Sequence, residues 1–412
     1  MKDISKELQK YIREHYKKPY ENVCLFLRFS KAQKKFIDHL HQDIMQGHLA
    51  WFQNIKSIVD AKIISTAKES IHYSYIPEDF RIIIENMQSP QKKYEFSLHG
   101  RNISIIFYAD SDKSFMETKW LKCMQKIYIW LHMAGKYASS KCSRNLVIYM
   151  YLTPVKKTMP HDTSTVIDRS HANTAFTTAC TGTTEIHIYR EEEWFKVFIH
   201  ETFHSLGLDF ATMNTSGIES KINEIYGLGK HVNDIRLYES YTETWAELIH
   251  TCMMVHYQMI YYKGNENSKT MGHFAEKVRD YLCYEITFSM IQCTKILRHY
   301  GLCYRDLCDA SRRDAVCKKY RESTPVFSYY VVKSLLLFFA DDFIEWNMTH
   351  NHGSFDFTKT DKNVNAYIAF IDEHRTNATY CRIMSEIDTL YRNIMNIQST
   401  GSITMRMTLY ED

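Results

Sequence analysis

Apolar residues recur along this chain with two different periods, and the places where the period changes divide it into regions. Over residues 1–90 they fall at irregular helical spacing, around Phe36, Ile37, Leu40 and Ile44 and again at Trp51, Ile55 and Ile58, which predicts a helix-rich N-terminal region. From Tyr94 the period shortens. Tyr94–Leu98 and Ile103–Tyr108 flank His99-Gly100-Arg101-Asn102, a hairpin signal. Helical spacing returns over Phe115–Met133 through Trp120, Leu121, Met124, Ile127, Tyr128 and Leu131. An apolar strand (Leu146–Leu152), a long Thr-rich loop and an alternating strand (Glu185–Tyr189) lead into Trp194–Leu208, apolar on most sides and hence a buried helix. Helical patterns dominate the remainder, including Phe274–Leu297, Pro325–Trp346 and the amphipathic Tyr380–Ile397.

Inside the buried helix stands His200-Glu201-Thr202-Phe203-His204, an H-E-x-x-H motif. A separation of four residues is a little over one turn, so both imidazoles leave the same face and can reach one ion at about 2.0–2.1 Å. Glu201, beside the metal without binding it, is placed to take a proton from an activated water. Glu191–Glu193 precede the helix where its dipole favours negative charge, and Gly207-Leu208 has the form of a glycine C-cap. Two histidines and a carboxylate in an apolar helix need partners, and a metal answers that need.

A third ligand is required. In the pattern H-E-x-x-H-x-x-G-x-x-H, Gly207 fits the glycine, but Phe210 occupies the last ligand position and Asp209 comes one residue early. A second helix offers carboxylates instead: Glu239, Glu243, Glu247 and His250 form one stripe, with Trp245, Leu248, Ile249 and Cys252 as packing surface. Glu243 is the expected ligand and Glu247 the expected hydrogen-bonding support for a ligand histidine, with Glu239 and Glu247 as alternative ligands. Tyr330 is the candidate oxyanion donor, beside Tyr329, Tyr241 and His231. The strand Thr183–Tyr189 is the candidate sheet edge for an extended peptide, through Thr184, Ile186 and Ile188.

H-E-x-x-H with a downstream E-x-x-x-D resembles the gluzincin group of zinc metallopeptidases, with Glu247 where aspartate is usual. Asn173-Thr-Ala-Phe-Thr177, Tyr189 to His204, Gly207-Leu-Asp-Phe210, Tyr241-Thr-Glu-Thr-Trp-Ala-Glu247 and Thr324 to Phe338 are similar to zinc metalloproteases encoded by nucleocytoplasmic large DNA viruses. The resemblance covers residues 145–345. It implies an α+β, zincin-like metallopeptidase core: a small mixed sheet with a backing helix and the H-E-x-x-H helix over 91–210, and a helical lower lobe with the third zinc ligand over 211–349. Residues 1–90 and 350–412 are then helical extensions. The implied cofactor is Zn²⁺ and the implied partner a peptide or protein substrate.

Composition narrows the remaining classes. A hydrophobic share of 45% over 412 residues supports a substantial core, and 6 Pro and 13 Gly leave little room for linkers. A net charge of +3 without a long Lys/Arg run gives nucleic-acid binding no support, and the Tyr329–Phe343 stretch, broken by Lys333 and closed by Asp341 and Asp342, is too short and charged to span a membrane. Met1–Lys18 is charged throughout, unlike a secretory signal, and 11 cysteines are an odd number. Thiols in a reducing, intracellular compartment are expected, in host cytoplasm or a virion if the viral resemblance holds. Three functions fit: a zinc-dependent metallopeptidase with Glu201 as general base, a zinc-stabilised non-catalytic virion or interaction protein keeping the fold, and a zinc hydrolase of non-peptide amides or esters.

Overall fold

A computed structural model of the chain describes residues 1–61, 70–87, 92–108, 113–229, 232, 235–262, 273–394 and 399–411. The protein is α+β, with one open, mixed six-stranded sheet among the described residues. Two compact units divide it: His39–Lys156 with Asn173–Thr212, and Met1–Asp38 with Lys157–Ala172 and Met213–Asp412. The region expected over 91–210 therefore takes in 39–90 and cedes 157–172, while the two terminal regions expected as extensions belong to the units themselves.

The first unit carries the sheet. Its strands are β1 (Val59–Ala61), β2 (Lys92–Leu98), β3 (Arg101–Phe107), β4 (Asn145–Thr153), β5 (Ala175–Thr177) and β6 (Thr183–Arg190), in the order β1-β2-β3-β4-β6-β5. The hairpin read from the sequence joins β2 to β3 with Leu98 opposite Arg101. Its turn is the pair His99-Gly100, both left-handed (φ 49° and 72°), the backbone that a two-residue turn between twisted strands requires. β3–β4 and β4–β6 are parallel, β5–β6 antiparallel.

Period-2 alternation gives the sheet two apolar faces, and each is covered. On one, Phe107 stacks on Trp120 and Phe96 meets Tyr128 of the backing helix Lys113–Ala134. On the other, Ile106, Tyr108, Tyr149, Tyr151 and Tyr189 pack with Tyr73, Ile76, Phe80 and Ile84. That second layer comes from the region expected to be an N-terminal extension.

The other unit is helical and centres on Phe274–His299, whose residues are buried on nearly every side beyond its first turns. Tyr329–Phe343, within the helical pattern of Pro325–Trp346, is expected to be a core helix, and the stretch is not one continuous helix. It is a π-helical turn, Phe327–Val332, then Lys333–Phe338 and, after a break at Phe339, Ala340–His350. The C-terminal segment is a core element as well: Thr404–Tyr410 is buried, and Tyr330 Oη, Gln292 Nε2, Lys295 Nζ and Lys333 Nζ donate to its backbone carbonyls. Buried extended backbone needs such partners because it has no sheet ladder to satisfy its polar groups. No described helix is long and apolar enough to cross a membrane.

Candidate metal centre

The H-E-x-x-H segment lies on the helix Trp194–Leu206, as its apolar pattern predicts. Glu193 precedes the helix in a left-handed conformation, and Glu191 pairs with Lys119 at 3.0 Å. The far end closes at Gly207, left-handed at φ 68°, with Leu208 N–H donating to the Phe203 carbonyl at 2.8 Å. That is the glycine cap expected from the sequence. Trp130 of the backing helix fixes the middle turn: its Nε1–H donates to Thr202 Oγ1 and its ring stacks near-parallel on Phe203 at 6.0 Å. The helix can neither slide nor turn without breaking these contacts.

His200 and His204 converge as the four-residue spacing demands. Their Nε2 atoms lie 3.1 Å apart, with ring planes at 84°. Two nitrogens bound tetrahedrally to one ion stand roughly 3.3 Å apart, so this separation fits a shared metal. His204 Nδ1 donates to Asp209 Oδ2, whose other oxygen accepts the Ala211 N–H at 2.9 Å. A proton held on Nδ1 leaves the Nε2 lone pair directed at the ligand position. Asp209 is 1% exposed. One residue early for a ligand, it serves instead as the carboxylate that orients one, and its position just past the glycine cap is the signal for that role.

His200 and His204 each offer one ligand atom to a candidate metal site, while the carboxylate stripe read from the sequence lies on the helix Leu237–Tyr262 of the other unit. Glu239 stands in the first turn of Leu237–Tyr262. Glu243 stands one turn further along, about 6 Å by helix rise. Its Oε1 lies 3.6 Å from the buried Lys333 ammonium.

Glu247, expected to support a histidine, is drawn into a separate buried network. Lys333 Nζ donates to its Oε2 at 2.8 Å and Thr408 Oγ1 to its Oε1 at 2.7 Å. Glu285 joins through Thr408 at 2.9 Å and accepts the N–H groups of Leu409 and Tyr410. Burial works to lower the Lys333 pKa, but Glu247 and Glu243 outweigh it and hold the ammonium above its ordinary range. Burial, followed by the charge of Glu247, pushes the Glu285 carboxyl well up, toward the protonated form.

Three further expectations need correction. Tyr330 is 2% exposed and its hydroxyl donates to the Met405 carbonyl at 2.7 Å, so it is committed to the core. Tyr241 is likewise engaged, with Asn347 Oδ1 and the Phe355 carbonyl. His231 lies outside the described residues. The strand containing Thr184, Ile186 and Ile188 is interior, not an edge: β6 pairs with β4 on one side and β5 on the other. All three residues are buried, and Thr184 Oγ1 donates to Ser143 Oγ. The edge position on that side belongs to β5, residues Ala175–Thr177. Finally, Cys142 and Cys180 are disulfide-bonded, so thiols throughout was wrong for this pair; the other nine cysteines are free.

Compared with protein-family models, curated proteins and solved structures, the chain matches none.

Proposed function

We propose that this chain is a zinc-dependent hydrolase of zincin type acting on peptide bonds. The single observation carrying the reading is the convergence of His200 Nε2 and His204 Nε2 at 3.1 Å, with His204 Nδ1 tied to Asp209. Two imidazoles, His200 and His204, and one carboxylate are a donor set suited to zinc that leaves a fourth position open; Glu239 is the proposed carboxylate, since Lys333 engages Glu243 and Glu247. Zinc, when bound, supplies Lewis acidity that makes a water nucleophilic near neutral pH and polarises a carbonyl.

The chain's own groups supply the rest. His200 and His204 present their Nε2 lone pairs from one helix face. Asp209 holds the His204 tautomer, and Glu239 contributes the negative charge that a divalent ion requires. Glu201, next to His200 and 7% exposed, accepts the proton of the attacking water and returns it to the leaving amine.

Metal analysis of the purified protein beside His204→Ala, Glu239→Ala and Glu243→Ala tests the assignment. One zinc per chain is expected, lost in the first two variants and retained in the third. Retention in Glu239→Ala with loss in Glu243→Ala would return the ligand role to Glu243. Glu201→Gln, assayed on a mixed peptide library, keeps its zinc and loses about 10²–10⁴-fold in rate. Unchanged turnover in that variant would remove the general base.

A further inference from the structure

The helical unit holds a second chemically distinctive group, separate from the candidate metal ligands. Cys308, at the end of the short helix Tyr304–Cys308, and Cys381, in the first turn of Ala378–Ile394, are half-buried and hydrogen-bonded to one another. Both thiols also point at one acceptor, the Arg375 carbonyl, at 3.3 and 3.6 Å. Cys381 lines a cavity of about 620 Å³ with Lys18, Arg305, Arg382 and Glu386. Asn377 caps the helix through the N–H groups of Thr379 and Tyr380, so Cys381 sits at the positive end of its dipole.

These surroundings favour a thiolate. The Cys308 thiol beside it acts against burial, with the Arg305 and Arg375 charges adding to the effect, to pull the Cys381 thiol down to about 7, while the same pairing holds Cys308 up. The remaining thiols differ. Cys252, Cys283 and Cys293 are fully buried; the half-buried Cys24 is also pulled down by its pairing with Cys283, but its partner is inaccessible and cannot resolve an oxidised sulfur from the surface.

We propose that Cys381 is a peroxide-reactive thiol and Cys308 its resolving partner, in a cavity that admits a small hydroperoxide. The Cys381 thiolate attacks the outer peroxide oxygen; the S–O bond forms, the O–O bond breaks, and the departing oxygen takes a proton to leave as water or an alcohol. Cys308 then attacks the sulfenic sulfur, its thiol proton leaves with the hydroxide as water, and a Cys308–Cys381 disulfide results. Two thiols are oxidised by two electrons and one hydroperoxide is reduced by two.

The test uses the full-length protein, hydrogen peroxide as probe, and peptide mapping by mass spectrometry. Without peroxide at pH 7, iodoacetamide labels Cys381 about tenfold faster than the half-buried Cys303 and Cys317. With peroxide, the Cys308–Cys381 disulfide appears before any other thiol is modified, and in Cys308→Ser dimedone traps a sulfenic acid at Cys381. Labelling of Cys381 no faster than of Cys303 and Cys317 would overturn the proposal in the wild-type protein, with no variant needed. Over-oxidation of Cys381 with Cys308 left as a thiol would overturn the resolving role. Neither readout depends on zinc or on peptide hydrolysis.

Discussion

Lys333 Nζ lies 2.8 Å from Glu247 Oε2, and the two side chains are 1% and 0% exposed. The ion pair is thus shut in the core of the helical unit, where a charge left alone is far more costly than a pair. Lys333 follows directly on the π-helical turn Phe327–Val332, and it also donates to the Met407 carbonyl. One ammonium thereby ties the helix Leu237–Tyr262 to the buried C-terminal segment.

Removing that ammonium leaves Glu247, and Glu243 3.6 Å away, without their counter-charge. Lys333→Met is expected to cost about 3–5 kcal/mol in urea unfolding, and Lys333→Met with Glu247→Leu to recover much of the loss, since a buried pair replaced by apolar groups is close to neutral. A cost below about 1 kcal/mol for the single variant would mean that the carboxylates are protonated or hydrated.

Asp209 positions His204 through its hydrogen bond to Nδ1. Asp209→Asn should weaken zinc affinity by about 10–100-fold, read by competition with a chromogenic chelator, while unfolding of the metal-free protein changes little. Loss of stability without loss of affinity would reduce Asp209 to an element of the chain turn after Gly207.

Lys295 is fully buried, and its ammonium donates to the carbonyls of Gly401, at 3.1 Å, and Thr404. Burial pulls it down to about 7 from an ordinary 10.5. The folded protein therefore releases this proton from about pH 7 upward, whereas the unfolded chain keeps it until about 10.5. Between those values the unfolded state binds more protons, so this group makes stability rise with pH. Below pH 7 both states are protonated and the penalty is complete; above 10.5 both are neutral and it has gone. Urea unfolding of the wild type at pH 7, 8.5 and 10 should gain a few kcal/mol relative to Lys295→Met over that window. Parallel profiles for the two proteins would show that Lys295 keeps its proton.

Much of what surrounds the candidate centre follows from local sequence. A four-residue spacing on a helix brings His200 and His204 together whatever lies around them, and Gly207 ends that helix because glycine alone enters the left-handed region without strain. The β2–β3 hairpin was legible for a similar reason: its turn chemistry and its alternation are set within a dozen residues. What depended on distant parts of the chain was not legible. Glu239, Glu243 and Glu247 occupy the same helical stripe, and periodicity cannot say which of three successive turns meets a ligand group; Lys333 and Thr408, far along the chain, claim the last of them. The pattern of Thr183–Tyr189 is that of a strand, but whether a strand is interior or at an edge is decided by its neighbours, and β5 supplies the second one. Tyr330 could not be told from a site tyrosine until the Met405 carbonyl was found on its hydroxyl. Asp209 needed the turn after Gly207, and the Cys308–Cys381 pair needed helices over seventy residues apart in sequence. Local spacing decides which groups can share a helix face or a turn; only the packed chain decides which polar groups that face must satisfy.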